Sequence, residues 1–434
     1  YETGHSERRY DIFGRPIEIT QHSPGQTNTL KFEYDSIGRP IKVTYPSGNV
    51  ITYQYSVEGL SSIAVNGGTL ISNIAYRAFG GITGWLWGNG SSSSKLFDLD
   101  GRPLSYQLGQ DTRLLEYDAA SRILKVNNTS NSSPSEQFSY DVLNRLTGYV
   151  TGSNQQSFSY DLNGNRIQGQ VGSSSAIYVY GSGSNRLQKL LTAQASDFYY
   201  DLRGNTTYGA GNEMEYDWFG RMAQAQGPRG GFANDFNGFH QRVSKSGWDP
   251  TVYFMHDMNG LLVGEYEYGT AKAREHVYLE GAPIASLDNR SVSFVHTDHL
   301  GTPRVITKTD NQAIWSWFSD PFGAASPNED LDGDGVLYTY NLRFAGQYYD
   351  RETRLHHNYF RNYNPTLGRY IEGDPIGLAG GMNIYTYANG NPLSSVDRDG
   401  LVPMECLPGG KCYPKEMPPT DRIPTPDPKD PRTP

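Results

Sequence analysis

The amino-acid sequence predicts an all-β fold of packed β-hairpins, and three observations support this prediction. A short motif recurs at nearly constant spacing through the first half of the chain. Stretches that alternate polar and apolar residues flank its copies, as in "LKFEY" from Leu30. Tyr and Gly are abundant, with 32 and 49 residues, while only 19% of the residues are charged. Such a composition is typical of β structure with many turns rather than of helices.

The motif begins with an aromatic residue, which Asp follows in most copies. Two variable residues come next, and then Gly or Asn with Arg. It predicts a turn, because Asp can bond its own backbone and Gly or Asn tolerates positive φ. One hairpin cannot bury its apolar face alone, so neighbouring units must pack together, and an ordinary antiparallel sandwich is the alternative. Eleven copies start at Tyr10, Tyr34, Tyr55, Tyr76, Phe97, Tyr117, Tyr140, Tyr160, Tyr180, Tyr200 and Tyr216.

Charge, hydropathy and cysteine content exclude several classes of function. The net charge is −9 and there is no basic stripe, so no nucleic-acid partner is expected. No apolar run approaches the length of a membrane span. Both cysteines, Cys406 and Cys412, lie near the C-terminal end, where they form either a small disulfide loop or two free thiols. The chain begins without Met or a signal peptide, and we interpret it as a piece of something longer.

Two acidic turns near the C-terminal end suggest chemistry. They are "DPIGL" from Asp374 and "DRDGL" from Asp397, and 18 residues separate them. Carboxylates can hydrolyse a peptide as a pair, because one draws a proton from water while its protonated neighbour polarises the carbonyl. The linker contains a strand-like "MNIYTYA" between Gly-Gly and Asn-Gly turns, which would let the second turn fold back beside the first. The spacing permits this pairing, and the alternative is that both motifs are only turns.

These motifs resemble those of the YD-repeat, or Rhs, family over residues 1–401, most specifically over 290–401, where "VHTDHLGTPRVIT" and "GRYIEGDPIGLAGG" match its repeat-associated core. The resemblance implies hairpins wound into a spiralling sheet that forms a hollow shell, or part of one, closed by an Rhs core domain. We assign 1–225 to the YD-repeat array, 226–289 to degenerate repeats that continue the shell, 290–401 to the core, and 402–434 to a Pro-rich disordered tail.

The resemblance also implies a function in bacterial competition. A protein of this polymorphic-toxin class would be secreted or placed on the cell surface by a secretion system. Its partners would be its own C-terminal cargo segment, enclosed by the shell, and either an N-terminal shell portion or a component of the secretion machinery. The 33 residues that follow Leu401 are too few and too rich in proline to form an enzyme, so no toxin domain is present here.

A self-cleaving site is the most specific expectation that the resemblance gives. Related shell proteins carry two such motifs with the same gap and cut just after the second. This maps the catalytic acids to Asp374 and Asp397 and the scissile bond to Leu401–Val402. An upstream arginine is also needed; Arg361 fits, and Arg369 is the alternative. The protein would then be, at most, an intramolecular aspartyl protease that turns over once.

Arg398 departs from the family pattern, in which Pro usually follows the second aspartate. Loss of Pro frees φ in this turn, and Arg398 could pair with Asp397 and lower its pKa, which does not suit a proton donor. An orphan Rhs fragment with an inactive site is therefore one alternative. The other is a non-enzymatic extracellular protein for adhesion or for contact with cell-surface carbohydrate, which outward-facing Tyr and Trp side chains would favour.

The segment "DLDGDG" contains the only candidate for a cofactor site. Its acids stand at positions 1, 3 and 5 of a calcium loop, with Gly at position 6. Position 12 is Asn341 instead of a bidentate Glu, and no helices are predicted on either side. We therefore expect a loop insertion in which structural calcium is weak or absent. The three acids are Asp330, Asp332 and Asp334.

Overall fold

The chain folds almost entirely into antiparallel β-sheet, as the sequence predicts. The structure is a computed structural model that describes residues 5–78, 81–130, 134–247, 249–406 and 412–414. Two large sheets precede two small ones. Within these described ranges the helical elements are two 3-10 turns, Gly377–Gly380 and Ala388–Gly390. None of the described helices is long and apolar enough to cross a membrane.

The first large sheet holds 19 strands, and each strand pairs with its neighbours in the chain. The pairing register slips at repeat tyrosines, for example between Ser139 and Tyr140 and between Ser159 and Tyr160. Such bulges increase the local twist, which lets a long sheet coil. The strands are β1 His5–Tyr10, β2 Pro16–Ser23, β3 Gln26–Tyr34, β4 Pro40–Thr44, β5 Val50–Ser56, β6 Gly59–Val65, β7 Gly68–Tyr76, β8 Ile82–Trp87, β9 Ser92–Phe97, β10 Pro103–Leu108, β11 Asp111–Tyr117, β12 Ile123–Asn128, β13 Glu136–Tyr140, β14 Leu146–Thr151, β15 Asn154–Tyr160, β16 Arg166–Val171, β17 Ser174–Tyr180, β18 Leu187–Leu191 and β19 Ala195–Asp197.

The second large sheet continues the same meander with 13 strands. It runs without a break across the predicted boundaries at residues 225 and 289, and it includes the first residues of the predicted core. Its strands are β20 Tyr199–Tyr200, β21 Thr206–Gly209, β22 Asn212–Tyr216, β23 Met222–Gly227, β24 Gly230–Phe236, β25 Arg242–Gly247, β26 Val252–His256, β27 Leu262–Glu267, β28 Ala273–Leu279, β29 Ala282–Asp288, β30 Ser291–Thr297, β31 Pro303–Thr307 and β32 Ala313–Ser316.

The repeat motif bonds both its own turn and the next unit. In the turn at Asp141, Oδ1 accepts the backbone N–H of Arg145 (3.0 Å) and Oδ2 accepts Arg145 Nε (2.6 Å). This guanidinium also donates to the carbonyl of Asp161 (2.8 Å) and lies 4.8 Å from the ring centre of Tyr160. The Tyr160 hydroxyl donates to the Leu146 carbonyl (2.8 Å). Each motif residue therefore has a structural partner, which explains the recurrence.

The two large sheets coil so that distant strands meet side by side. The Tyr45 hydroxyl donates to the carbonyl of His276 (2.9 Å), which lies 231 residues further along the chain. Nearby, Asn49 Nδ2 donates to the buried carboxylate of Glu275 (2.8 Å). One apolar cluster contains buried residues from both of these segments. The meander therefore makes more than one turn of a spiral, in agreement with the shell-forming fold that the resemblance implies.

The segment after the second sheet packs inside this spiral. Its aromatic side chains form a buried cluster with Trp315, which includes Trp317, Tyr363 and Tyr387. Other residues of the segment, such as Phe322, pack against the first sheet. This interior segment carries both acidic motifs. Its strands are β33 Tyr348–Asp350, β34 Leu355–Asn358, β35 Arg361–Asn364 and β36 Arg369–Tyr370 in one sheet, and β37 Ser395–Val396 in another.

Two short strands follow the predicted tail boundary at residue 402. Strands β38 Met404–Cys406 and β39 Cys412–Pro414 complete a 3-stranded sheet with β37. Backbone pairing with β37 joins these residues to the preceding motif, and the boundary at residue 402 and the disorder beyond it stay predictions. The remainder of the tail, and the question of a disulfide between the two cysteine side chains, lie outside the described residues.

Candidate active site

The second acidic motif forms a turn of the repeat kind, but with one carboxylate oxygen left for other partners. Asp397 Oδ1 accepts the backbone N–H of Leu401 (3.0 Å), four residues on, as the repeat aspartates do. Asp397 Oδ2 accepts the Tyr370 hydroxyl (2.8 Å) and lies 3.2 Å from Arg361 Nη2. The residue is fully buried, at 0% exposure. Turn formation and chemistry are therefore compatible in this motif.

The first acidic motif meets the second at the same arginine. Asp374 Oδ1 accepts the backbone N–H of Ile376 (3.0 Å), which builds the turn. Its Oδ2 lies 3.0 Å from Arg361 Nη2, the nitrogen that also contacts Asp397. The backbone N–H of Asp374 donates to the carbonyl of Ile384 (2.9 Å), in the linker, where the expected strand is replaced by turns and one isolated bridge at Thr386. The linker thus folds back and brings the two carboxylates together around one cation.

Arg361 is held in place from several sides. It is 1% exposed, and its guanidinium carbon lies 3.7 Å from the ring centre of Tyr370. Its Nε donates to the carbonyl of Gly400, next to the predicted scissile bond. Arg369, the alternative candidate, points to the repeat wall instead, where Nη2 donates to the Asn185 carbonyl (2.6 Å). The geometry therefore places Arg361, and not Arg369, at the acid pair.

Gly380 is the site residue that sequence reasoning missed. A Cβ at Gly380 would lie 2.3 Å from Asp374 Oδ2 and 2.7 Å from the carbonyl oxygen of Leu401. Both oxygens therefore border the space that this glycine leaves empty. The "AGG" in the linker was the available signal, but we interpreted it only as a turn. Because Gly380 has no Cβ, the Asp374 carboxyl group can lie beside the carbonyl of the predicted scissile bond.

Burial shifts the pKa of the Asp374 carboxyl group, as it does that of Asp399 in the second acidic turn. It raises the pKa of Asp374 to about 6, while the Arg361 cation opposes the shift and the Asp397 charge adds to it. Asp374 therefore retains a proton to higher pH than an ordinary aspartate. Asp397 has donors at both oxygens, from Leu401, Tyr370 and Arg361. Both acids therefore share Arg361, and Asp397 additionally accepts the Tyr370 hydroxyl.

Arg398 lies away from the acid pair. Its Nη1 would be 2.2 Å from a Cβ at Gly281, and the side chain lines a cavity of about 590 Å³. Its backbone carbonyl oxygen would lie 1.8 Å from a Cβ at Gly346. Among the described residues Asp397 pairs with Arg361 and not with Arg398. The Arg398–Asp397 pair does not form, because the Arg398 side chain extends over Gly281.

The three predicted calcium ligands do come together. The carboxylate oxygens of Asp330, Asp332 and Asp334 lie within 4.8 Å of one another. Lys308 Nζ lies 2.9 Å from Asp332 Oδ2 and 4.0 Å from Asp334 Oδ2. A hydrogen bond with Asp332 raises the pKa of Lys308. This ammonium supplies positive charge that a bound cation would otherwise bring, and structural calcium stays a prediction.

Fold and site together define a class of spiral β-hairpin-repeat proteins that carry a paired-acid turn inside the coil. The family model "Teneurin YD-shell" matches residues 104–393, and "RHS Repeat" matches residues 34–67. The chain therefore belongs to the teneurin YD-shell family. This agrees with the YD-repeat, or Rhs, resemblance of its motifs.

Curated relatives include bacterial toxins. The chain is 36% identical over 134 residues to "Toxin protein Tse5" of Pseudomonas aeruginosa, a match that covers 30% of this chain and 10% of that protein. It is 42% identical over 110 residues to "Double-stranded DNA deaminase toxin A" of Burkholderia cenocepacia, covering 25% of this chain and 7% of that protein. The chain thus spans a tenth or less of the length of these two relatives.

Solved structures share the fold. A Tc holotoxin pore of Photorhabdus luminescens superposes with a TM-score of 0.73 at 15% identity, covering 94% of this chain and 24% of that one. The TcdB2-TccC3-Cdc42 complex gives a TM-score of 0.76 at 16% identity, covering 90% and 23%. At these identities the likeness concerns the fold alone, and it confirms the predicted all-β class.

Proposed function

We propose that this chain is part of a toxin-encapsulating shell that hydrolyses its own Leu401–Val402 peptide bond. One observation supports self-cleavage above all: the Asp374 carboxyl group and the Leu401 carbonyl oxygen converge on Gly380. The arginine that contacts Asp374 also contacts Asp397. A pair of buried acids beside one specific carbonyl is the arrangement that acid–base hydrolysis of that bond requires.

The reaction assigns a separate task to each acid. Protonated Asp374 donates a hydrogen bond to the Leu401 carbonyl oxygen, which makes the carbonyl carbon more electrophilic. Ionised Asp397 takes a proton from a water molecule as the water oxygen bonds to that carbon. The C–N bond to Val402 then breaks and the leaving nitrogen takes up a proton. The products are a carboxylate at Leu401 and an amine at Val402, and no second turnover follows.

Arg361 serves both acids in this scheme. Its charge stabilises the negative charge that develops when water attacks, and it does so without reorganisation because the side chain is already fixed. Its Nε bond to the Gly400 carbonyl holds the peptide unit just before Leu401. The bond between Asp397 Oδ1 and the Leu401 N–H fixes the same residue from the other side. The substrate is therefore positioned before any reaction begins.

The shell role rests on the family and on the interior position of the acid pair. Toxins among the relatives suggest that a longer form of this protein carries a toxin after the cleaved bond. Its partners would be that cargo segment, an N-terminal shell portion or a secretion component, and its location secreted or at the cell surface. The adhesion alternative, which Trp218 at 70% exposure would favour, receives less support because Trp87 is 3% exposed and repeat tyrosines such as Tyr160 bond backbone carbonyls.

Intact mass under denaturing conditions tests the cleavage. Denaturation matters because a cut segment could stay bound inside the folded spiral. We compare the parent chain with Asp397→Asn, which retains a turn-forming acceptor: Asn237 accepts the backbone N–H groups of Phe239 (3.0 Å) and Gln241 (3.1 Å) in another turn. The expected result is that the parent loses the 33 residues after Leu401, while the variant stays whole at 48.3 kDa.

Asp257→Asn is the matched control. Asp257 begins "DMNGL", a turn of the same D-x-x-G-L pattern, and its Oδ1 accepts the Leu261 N–H (2.9 Å). This variant should be cut like the parent, since within the described residues its carboxylate contacts no arginine. A parent chain that remains whole would overturn the proposal of self-cleavage. Cleavage in Asp397→Asn would overturn the assignment of this acid.

A further inference from the structure

A third buried acid, Glu372, lies two residues before Asp374 and has no part in the chemistry above. It is 2% exposed. Its Oε2 accepts the backbone N–H of Asn362 (2.7 Å), and its Oε1 accepts Asn362 Nδ2 (2.8 Å). Both carboxylate oxygens are thus used to hold one residue of strand β35. That residue directly follows Arg361.

This bond pair determines where the Arg361 backbone lies. Strand β35 begins at Arg361, and the carbonyl of Asn362 accepts the backbone N–H of Ile371 (3.0 Å). Asn362 is therefore held through its N–H, its carbonyl and its side chain by the residues that precede Asp374. A shift of Glu372 would move β35 and, with it, the guanidinium that both catalytic acids share.

The same carboxylate also reaches the repeat wall. The Tyr216 hydroxyl lies 3.3 Å from Glu372 Oε1 and 2.9 Å from the carbonyl of Thr206. Thr206 in turn donates its N–H (3.0 Å) and its hydroxyl (2.6 Å) to the carbonyl of Ile371. Tyr216 is the aromatic residue of a repeat motif, and Thr206 belongs to the strand beside it. Two wall strands, β21 and β22, therefore contact the segment that carries the acids.

We propose that Glu372 is a positioning residue that fixes the Arg361 strand against the repeat wall, so that cleavage requires the wall strands to be in place. This inference rests on the proposed self-cleavage. Under this proposal folding of the wall precedes cleavage, since the bond is cut only after the wall has formed around the site. A partly folded chain, without β21 and β22 in position, keeps its C-terminal segment attached.

The charge of Glu372 gives the inference a pH signature. The ionisable groups that face it are Arg361 from β35 and Tyr216 from the wall. Burial raises the pKa of Glu372 to about 7, and the Arg361 cation opposes this shift. Protonation removes an acceptor from Asn362, so positioning is best above this pH. Asp374 must instead be protonated, and the cleavage rate should therefore peak between about pH 6 and 7.

The test compares Glu372→Gln and Tyr216→Phe with two matched controls. Glu275→Gln changes another fully buried carboxylate, at 0% exposure, which accepts hydrogen bonds from Asn49 and Tyr266. Tyr140→Phe removes a repeat hydroxyl that donates to the Ile123 carbonyl (2.8 Å). Each chain is purified unfolded, refolded by dilution at pH 5.5 to 8.5 and sampled for intact mass. Circular dichroism shows which variants regain the fold.

Glu372→Gln should cleave about tenfold or more slowly than Glu275→Gln, as expected for loss of a supporting hydrogen-bonded acid. Its pH profile should also lack the part of the acid-side fall that Glu372 causes, because glutamine does not titrate. Tyr216→Phe should slow cleavage, while Tyr140→Phe should not. If Glu372→Gln fails to fold, these two variants test the positioning role, and equal cleavage rates would overturn it. A parent-like rate and pH profile in Glu372→Gln would overturn the inference.

Hydrogen exchange separates this inference from the proposed function. It is measured in the Asp397→Asn background, where the chain stays whole. The Asn362 amide should exchange about tenfold faster with Glu372→Gln than with Glu275→Gln, because glutamine offers one uncharged acceptor oxygen to the two donor groups of Asn362. Faster exchange with Glu372→Gln, together with a parent chain that never cleaves, would refute the protease but support the positioning role. Unchanged exchange would refute the positioning role whether or not the parent cleaves.

Discussion

Gly380→Ala is the substitution that most directly tests the geometry of the acid pair and the scissile carbonyl. The added Cβ would lie 2.3 Å from Asp374 Oδ2 and 2.7 Å from the Leu401 carbonyl oxygen, whereas ordinary contact begins at 3.4 Å. One or both oxygens must therefore move by about 1 Å, and a displacement of this size can cost about 100-fold in rate. We expect the cleavage rate to fall by about that factor.

The same measurement of intact mass after refolding reports the effect, and Gly238→Ala is its control. A Cβ at Gly238 would meet nothing within 4 Å, so this variant carries the same chemical change without the contact. It should cleave at the parent rate. Thermal unfolding of both variants shows whether Gly380→Ala has lost the fold or only the arrangement of the two oxygens.

A folded Gly380→Ala chain that cleaves as fast as the parent would refute the reasoning. The scissile carbonyl would then not be the one beside Asp374, even if Asp397→Asn still abolished cleavage. Mass spectrometry of the released segment would show the true bond. Loss of cleavage in the Gly238→Ala control would instead show that the reaction responds to any change in the wall.

Three further predictions follow from the site and its surroundings. Since burial raises the pKa of Asp374 to about 6 and the proton donor must be protonated, the cleavage rate should fall about tenfold per unit as pH rises well above 6, measured by refolding at a series of pH values. Calcium should raise the melting temperature of Lys308→Ala more than that of the parent, because Lys308 Nζ lies 2.9 Å from Asp332 Oδ2; equal shifts would argue against a cation site there. Arg398→Pro should cleave like the parent, since Arg398 does not pair with Asp397, and intact mass after refolding would reveal any loss.

The hairpins could be predicted from sequence because their causes are local. An Asp bonds backbone groups two and four residues away, and Gly or Asn supplies positive φ, so each turn is specified within six residues. The coil could not be predicted in this way. The bond from Tyr45 to the His276 carbonyl depends on twist accumulated over the intervening hairpins. Sequence reasoning reached the coil only through resemblance to a family.

The site residues divide in the same way into those that the sequence predicted and those that depend on packing. The acids and Arg361 followed from motifs and resemblance, whereas Gly380 and Glu372 were missed because their roles arise from packing. Gly380 matters through a space that two distant oxygens share, and Glu372 through burial against the wall. The expected pairing of Arg398 with Asp397 considered only neighbours in sequence. Chain segments far away in sequence decide which charges meet.

The acidic motifs differ from the repeat turns mainly at one position. A repeat aspartate uses Oδ1 for backbone N–H groups and Oδ2 for the arginine four residues later, so its carboxylate is fully engaged. At Asp397 that position is Leu401, which leaves Oδ2 for Arg361 from another strand. Asp257 has the same leucine, at Leu261, but within the described residues no arginine comes to it. Leucine at this position therefore leaves Oδ2 without an arginine from its own turn. Only the folded interior brings Arg361 and the second acid to that oxygen.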